Sequence, residues 1–219
     1  MKKIFIISLL LIATTILSYA QELKYSALYH HRATLFEKLP IDKSDIVFLG
    51  NSITHYGEWA EIFDNDNIKN RGISGDSAEG VYERLDPIVK GKPKKIFLLI
   101  GVNNLSRDYT VDSVLNTIVK IADKIATETP RTKLYIQSVF PVNSTFTNYP
   151  KHRSKGPQIL ELNAKLIKMC AERGLTYIDV YPVLKSADSD QLDPKYTYDG
   201  LHLSGDGYMA WKTVLEKYL

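Results

Sequence analysis

The chain predicts an α/β protein, a three-layer α/β/α sandwich with a central five-stranded parallel sheet. Three observations point there. Short β-favouring runs alternate with longer segments of helical periodicity, the pattern of parallel strands joined by crossover helices. The first run, Ile46-Val47-Phe48-Leu49, is apolar at every position, which fits a strand covered on both faces. Helix caps and stops fall between the runs, so elements are separated by short loops.

The elements can be taken in order. Met1 to Ala20 reads as a targeting segment: Lys2 and Lys3, then a mostly apolar stretch from Ile4 to Leu17, then Ser18-Tyr19-Ala20 with small residues either side of Tyr19. The apolar run is shorter than the ~20 residues of a membrane span. We therefore expect a signal peptide over residues 1–20 and one domain over 21–219, with no stable membrane insertion after the signal is removed. A helix is predicted over Ser26 to Leu39, before Pro40. Strands are predicted at Ile46–Leu49, Ile68–Arg71, Lys95–Ile100, Lys133–Ser138 and Thr176–Asp179. Helical character runs from Tyr56 to Phe63, and from Ser77 to Val89 with Asp76 as cap and Glu79 three residues on. Further helices cover Thr110–Thr127, stopped by Pro130; Pro157–Arg173, closed by Gly174; and Gly205–Tyr218, capped by Ser204. There are no repeats and no low-complexity linker. Residues 140–156 and 183–203 form the longest irregular stretches, and both come after strands.

Composition narrows the class. Of 219 residues 44% are hydrophobic, enough for one sizeable core. With 28 basic and 25 acidic residues the net charge is +3, which argues against a nucleic-acid partner. Cys170 is the single cysteine, so an internal disulfide is excluded. It falls among Ile159, Leu162, Leu166, Ile167 and Met169 at helical spacing, which assigns it to the core. The five histidines show no ligand-like spacing, so no metal and no cofactor are expected. Nothing in the sequence fixes the oligomeric state.

The chemistry lies in the loops at the ends of the strands. Gly50-Asn51-Ser52 comes after the first, Gly72-Ile73-Ser74-Gly75-Asp76 after the second and Gly101-Val102-Asn103-Asn104 after the third. Asp199-Gly200-Leu201-His202 comes after the long loop behind the fifth. Parallel strands bring all four loops to one sheet edge, where ligands of open α/β sheets bind. Ser52 could be a helix cap alone, and Asp199 and His202 part of a solvated loop. Together they supply what acyl transfer at serine requires. A hydroxyl is a weak nucleophile until a base takes its proton. His202 can act as that base, and Asp199, three residues earlier, can hold its ring. Charge developing on the ester oxygen needs preorganised donors: the backbone amides of Ser52 and Gly75 and the side-chain amide of Asn103 are the candidates. Gly75 suits a close backbone approach.

Other residues are weighed against this set. Gly72-Ile73-Ser74-Gly75 resembles a nucleophile elbow, but Asp76 stands where the last glycine belongs. His55 lacks an Asp at matching spacing and is assigned to the pocket lining. His30, His31 and His152 lack partners and are assigned to the surface or pocket rim.

Gly50-Asn51-Ser52-Ile53, Asn70 to Asp76, Gly101 to Asn104 and Asp199 to Leu203 resemble, in order and spacing, the four blocks of SGNH hydrolases, the GDSL lipase/esterase superfamily. The Gly-x-Asn-Asn block and the tail Leu201 to Tyr208 resemble the branch of platelet-activating-factor acetylhydrolase catalytic subunits. The resemblance implies a flavodoxin-like fold, Ser52 as nucleophile, Gly75 and Asn103 as oxyanion donors, and Asp199 with His202 completing a triad. Asn51 departs from the usual Asp; it is expected to brace the loop and, with His55 and Asn104, to border the substrate pocket. The expected function is an exported serine esterase acting on short acyl, chiefly acetyl, esters, with a small-molecule or glycan ester as substrate. A lysophospholipase or other lipid acylhydrolase is the alternative enzyme. A weakly active carbohydrate-binding protein on a hydrolase fold is the alternative of another class.

Overall fold

The computed structural model describes residues 24–219, so the predicted signal peptide lies outside the described residues. Helix α1 (Ala27–Lys38) leads into β1 (Ile46–Gly50), the short helices α2 (Ser52–His55) and α3 (Trp59–Ile62), and β2 (Ile68–Gly72). Then come α4 (Ala78–Glu83), α5 (Asp86–Gly91), β3 (Lys95–Leu99), α6 (Val102–Ser106) and α7 (Val111–Glu128). The chain closes with β4 (Lys133–Gln137), α8 (Gly156–Arg173), β5 (Thr176–Ile178), α9 (Tyr181–Leu184) and α10 (Gly205–Leu215).

The five strands are parallel in the order β2-β1-β3-β4-β5. This is the doubly wound order of the flavodoxin type, with the direction of winding reversing between β1 and β3. The pleat explains why the strand runs are apolar throughout. Val47 and Leu49 face a core built with α4, α5, α7 and α8. Ile46 and Phe48 face the opposite core, with Trp59 of α3 and Tyr208, Trp211 and Leu215 of α10. On that side Phe48 stacks between Trp59, at 4.4 Å, and Phe97, at 5.0 Å between ring centroids. Cys170 is buried in the first core, and burial pushes its thiol up to about 11, so it is an inert apolar filler. No helix among the described residues is long and apolar enough to cross a membrane.

Local signals set most boundaries. Ser26, Thr110 and Ser204 accept from the backbone N–H three residues on and cap α1, α7 and α10. Gly174 closes α8 at φ 64°. Two expected helices differ. The segment Tyr56–Phe63 is not one helix: α2 already begins at Ser52 and stops at His55, and α3 starts only at Trp59. Gly57 lies in the break, where a Cβ would fall 2.5 Å from the Trp59 ring. The segment Ser77–Val89 breaks into α4 and α5 before Pro87, which lacks the N–H to continue a helix. Nor is Asp76 its cap. Ser77 takes that role through its Oγ, and the buried Asp76 carboxylate instead accepts from Arg84 Nε at 2.8 Å and from Ser77 N at 2.9 Å. Burial raises the Asp76 pKa, opposed by the Arg84 guanidinium. Arg84 also donates from Nη2 to the Gly50 carbonyl at 3.0 Å, tying α4 to the end of β1.

Removing the cation would strand a buried carboxylate and free the Gly50 carbonyl. Arg84→Met should cost about 3–5 kcal/mol in unfolding free energy, measured by urea titration. Asp76→Asn, which keeps an acceptor for Arg84, should cost less.

Candidate active site

Gly50 ends β1, and space dictates it: a Cβ there would lie 2.3 Å from the Leu99 carbonyl oxygen and 2.4 Å from Thr54 Oγ1. Asn51 then caps α2, its Oδ1 accepting from Ile53 N at 3.0 Å. Ser52 is thereby presented at the first turn of a helix, at the carboxyl edge of the sheet. The other end of this short helix is gathered by Asn70 of β2. Its Nδ2 lies 3.1, 3.0 and 2.9 Å from the carbonyl oxygens of Thr54, His55 and Gly57, and its Oδ1 accepts from Gly72 N at 2.8 Å. Trp59 Nε1 donates to Thr54 O, and Tyr208 Oη to Ile53 O, both at 2.8 Å. A four-residue helix has too few internal bonds to hold itself, so these outside donors fix it.

The loop before α10 brings the imidazole across. Thr197 Oγ1 accepts from Gly200 N at 2.9 Å and closes the turn. Asp199 Oδ1 accepts from the backbone N–H groups of Leu201 and His202, at 2.9 and 2.8 Å. Its Oδ2 lies 2.7 Å from His202 Nδ1. His202 Nε2 lies 2.9 Å from Ser52 Oγ, 150 residues away in sequence. The carboxylate can only accept, so Nδ1 carries the hydrogen and Nε2 is left as acceptor for the serine hydroxyl. Burial acts to raise the Asp199 carboxyl, but hydrogen bonds from the His202 ring, from His202 N and from Leu201 N outweigh it and hold it below the usual carboxylate range. The Tyr56 and Tyr149 rings flank the imidazole, each with its centroid 5.1 Å away. A hydroxyl so placed can pass its proton to the ring as it attacks a carbonyl carbon.

The expected donors for the developing negative charge stand beside it. Among the described residues, neither the Ser52 nor the Gly75 backbone N–H has an intramolecular acceptor. Gly75 sits at φ +78°, and a Cβ there would meet nothing within 4 Å. Left-handed backbone, not the crowding expected from sequence, is what favours glycine at this position. Arg107 Nη2 donates to the Gly75 carbonyl at 2.6 Å and anchors the loop. Asn103 Nδ2 donates one hydrogen to the Asp76 carbonyl at 2.9 Å, leaving a second on the same nitrogen.

Three expected positions are corrected. Asn104 does not border a pocket: it is fully buried, with Oδ1 accepting from Ala78 N at 2.9 Å and Nδ2 donating to Glu79 Oε2 at 2.6 Å. Asn51 is likewise buried and spent on its cap, as a brace. His152 is not without a partner, because its Nε2 lies 2.9 Å from Asn103 Oδ1. His55 is half-buried with Nδ1 3.0 Å from Ser74 Oγ, and burial lowers its pKa. Among the described residues no carboxylate stands behind that second serine–imidazole pair. Sequence alone assigns no part in holding the site to Asn70, Tyr149 or His152. The available signal is place: Asn70 lies on β2, two residues before its carboxyl end, and the other two lie in the loop hanging from β4.

Fold and edge together define an ester hydrolase on a doubly wound α/β sheet. The model of the GDSL-like lipase/acylhydrolase family matches residues 48–210, and the chain belongs to that family. Among curated proteins it is 27% identical over 170 residues to the rat platelet-activating factor acetylhydrolase IB subunit alpha2, covering 75% of this chain and 71% of that one. It is also 27% identical over 176 residues to the N-acylneuraminate cytidylyltransferase of Escherichia coli, where the match spans 79% of this chain but only 39% of the relative's length. Among solved structures, a chain from Streptococcus pneumonia whose description names platelet activating factor superposes with TM-score 0.80 at 28% identity, covering 97% of this chain and 98% of that one. A GDSL-like lipase from Bacteroides thetaiotaomicron has the same fold, with TM-score 0.76 at 22% identity, covering 87% of this chain and 96% of that one.

Asn70→Ala would leave the His55 and Gly57 carbonyls, at and after the end of α2, without their donor, while Thr54 O keeps Trp59 Nε1. It should lower stability by about 1–3 kcal/mol and reduce kcat on an acetyl ester, since the helix carrying Ser52 loses its anchor. Thermal melts and steady-state kinetics on one preparation check both.

Proposed function

We propose that this protein is an exported serine esterase that removes short acyl groups, chiefly acetyl, from carbohydrates through a Ser52–His202–Asp199 triad. The observation that carries the chemistry is the continuous chain from Asp199 Oδ2 through the His202 ring to Ser52 Oγ, with links of 2.7 and 2.9 Å. In this mechanism Ser52 Oγ attacks the ester carbonyl as its proton passes to His202 Nε2. The Ser52 and Gly75 amides and Asn103 Nδ2 meet the charge on the carbonyl oxygen. His202 returns the proton to the departing alcohol, leaving an acyl-Ser52 ester. Water, deprotonated by the same ring, then cleaves that ester and restores the hydroxyl.

Two lines support the substrate class. The rat relative is named an acetylhydrolase, which favours a small acyl group. A cleft of about 840 Å³ opens at Ser74 and Gly75; it is not lined by Ser52 or His202 but adjoins the site at the Gly75 loop, and it carries Tyr25, Tyr82 and Tyr109 beside Glu79 and Arg107. Tyrosine faces with mixed polar groups suit sugar rings better than alkyl tails, which need about 0.8 kcal/mol of apolar burial per methylene. Phe140, at the start of the loop after β4, is buried in the core and offers no face to a ligand. Export rests on the sequence of residues 1–20 alone. The lipid alternative keeps one observation in its favour, the lipase in the family's own name.

Ser52→Ala should nearly abolish turnover with little change in stability, and a fluorophosphonate should label Ser52. Labelling at Ser74 would overturn the assignment. For the substrate, kcat/KM over a chain-length series of p-nitrophenyl esters, run beside an O-acetylated sugar, should be highest at acetyl. A maximum at about eight carbons or beyond would move the protein to the lipid acylhydrolases.

A further inference from the structure

His152 comes from the loop after β4, far from the four sequence blocks, yet it touches one of their residues. Its Nε2 lies 2.9 Å from Asn103 Oδ1. The orientation of the Asn103 amide is not free, because its nitrogen faces the Asp76 carbonyl at 2.9 Å and a carbonyl can only accept. Oδ1 must therefore face His152, and His152 Nε2 must be the donor. The ring has one hydrogen to give in its neutral form. Burial, the nearby His202 ring and Arg107 together pull its pKa down to about 4, so it is neutral at working pH and carries its hydrogen on Nε2.

The loop that holds the ring is itself tied down. His152 N donates to Tyr149 O at 3.0 Å and Lys155 N to His152 O at 2.9 Å, closing a turn. Lys155 Nζ reaches Asp108 Oδ1 at 2.7 Å, beyond the end of α6, which carries Asn103. Upstream, Asn143 N donates to Gly200 O at 2.9 Å, joining the same loop to the turn of Asp199 and His202.

We infer that His152 is a positioning residue for the oxyanion site: by donating to Asn103 Oδ1 it locks the carboxamide with its second N–H toward the reacting carbonyl oxygen. This rests on the proposed roles of Ser52 as nucleophile and Asn103 as oxyanion donor. The one bond has two physical effects. The amide is held between two partners of opposite kind, so rotation about its terminal torsion loses both. A donor on Oδ1 also draws electron density from the amide nitrogen, which makes the remaining N–H a stronger donor to an anion. Charge on that oxygen appears in both the acylation and deacylation barriers, so the contribution falls on kcat whichever step limits.

The test uses full-length protein and p-nitrophenyl acetate, with thermal melts to confirm folding. His152→Phe keeps a ring but has no donor, whereas His152→Gln carries an amide N–H close to the position of Nε2. We expect His152→Phe to lower kcat roughly 10- to 100-fold with KM within about twofold, and His152→Gln to recover most of it. In an Asn103→Ala background, His152→Phe should change kcat by less than about twofold, since it acts through the missing amide. Full, multiplicative losses in that double variant, or a Gln variant as impaired as Phe, would overturn the inference. Ser52→Ala is run alongside. If it is inactive while His152→Phe keeps normal kcat, only the role of His152 falls; if it retains turnover, the proposed site and this inference fall together.

Discussion

The structure depends on the register that ends β1, β2 and β3 level with one another. Gly50 stands opposite both Gly72 and Leu99, so the loops carrying Ser52, Gly75 and Asn103 leave the sheet side by side. Such an edge has a cost. Strand ends and short helix ends leave backbone donors and acceptors that neither ladder nor helix satisfies. Buried and half-buried carboxamides serve them. Asn51 caps α2, Asn70 gathers its last carbonyls, and Asn104 ties α6 to Ala78 and Glu79 of α4. Asn143 and Asn163 hold the loop after β4, the latter through a paired exchange with the Val139 N–H and carbonyl, both at 2.8 Å. A carboxamide suits this work because it offers donor and acceptor at once and carries no charge to desolvate.

That arrangement explains what is legible in the sequence. The sheet is legible because both faces of each inner strand are apolar, a pattern that loop detail cannot disguise. Ser52, Gly75, Asn103, Asp199 and His202 are legible because each comes after a strand or precedes a helix, and parallel topology forces those positions to one edge. Two of the misassigned residues, Asn104 and His152, have partners from other parts of the chain. Helical pattern alone does not reveal that Arg84, at the end of α4, reaches back to Asp76 at its start. Nothing near Asn104 shows that both ends of its amide are taken by the helix after β2, 26 and 25 residues away. His152 is the clearest case. Its partner is 49 residues distant, and the loop that carries it has no periodicity from which a path could be drawn. Short-range chemistry fixes which residue types gather at the edge, while tertiary contact decides which face a ligand and which hold the scaffold.

The same contacts govern charge at the edge. For an imidazole to take a proton from serine, the cation it becomes must be welcome, and other cations nearby must be few or pinned. Asp199 provides the welcome: two backbone N–H groups and the ring hold its carboxyl ionised against the burial that would neutralise it. His55 and His152, the other imidazoles at this edge, are both pushed toward the neutral form by burial. Arg107, the nearby guanidinium, is committed to the Gly75 carbonyl. Proton transfer from Ser52 to His202 would thus create a new positive charge directly against the carboxylate already paired with that ring. Burying two neutral histidines beside a third is unfavourable unless each has a partner, and each has one: Ser74 for His55 and Asn103 for His152. Those partners satisfy imidazoles that burial keeps uncharged, and they do so with groups that belong to the loops on which the proposed chemistry depends.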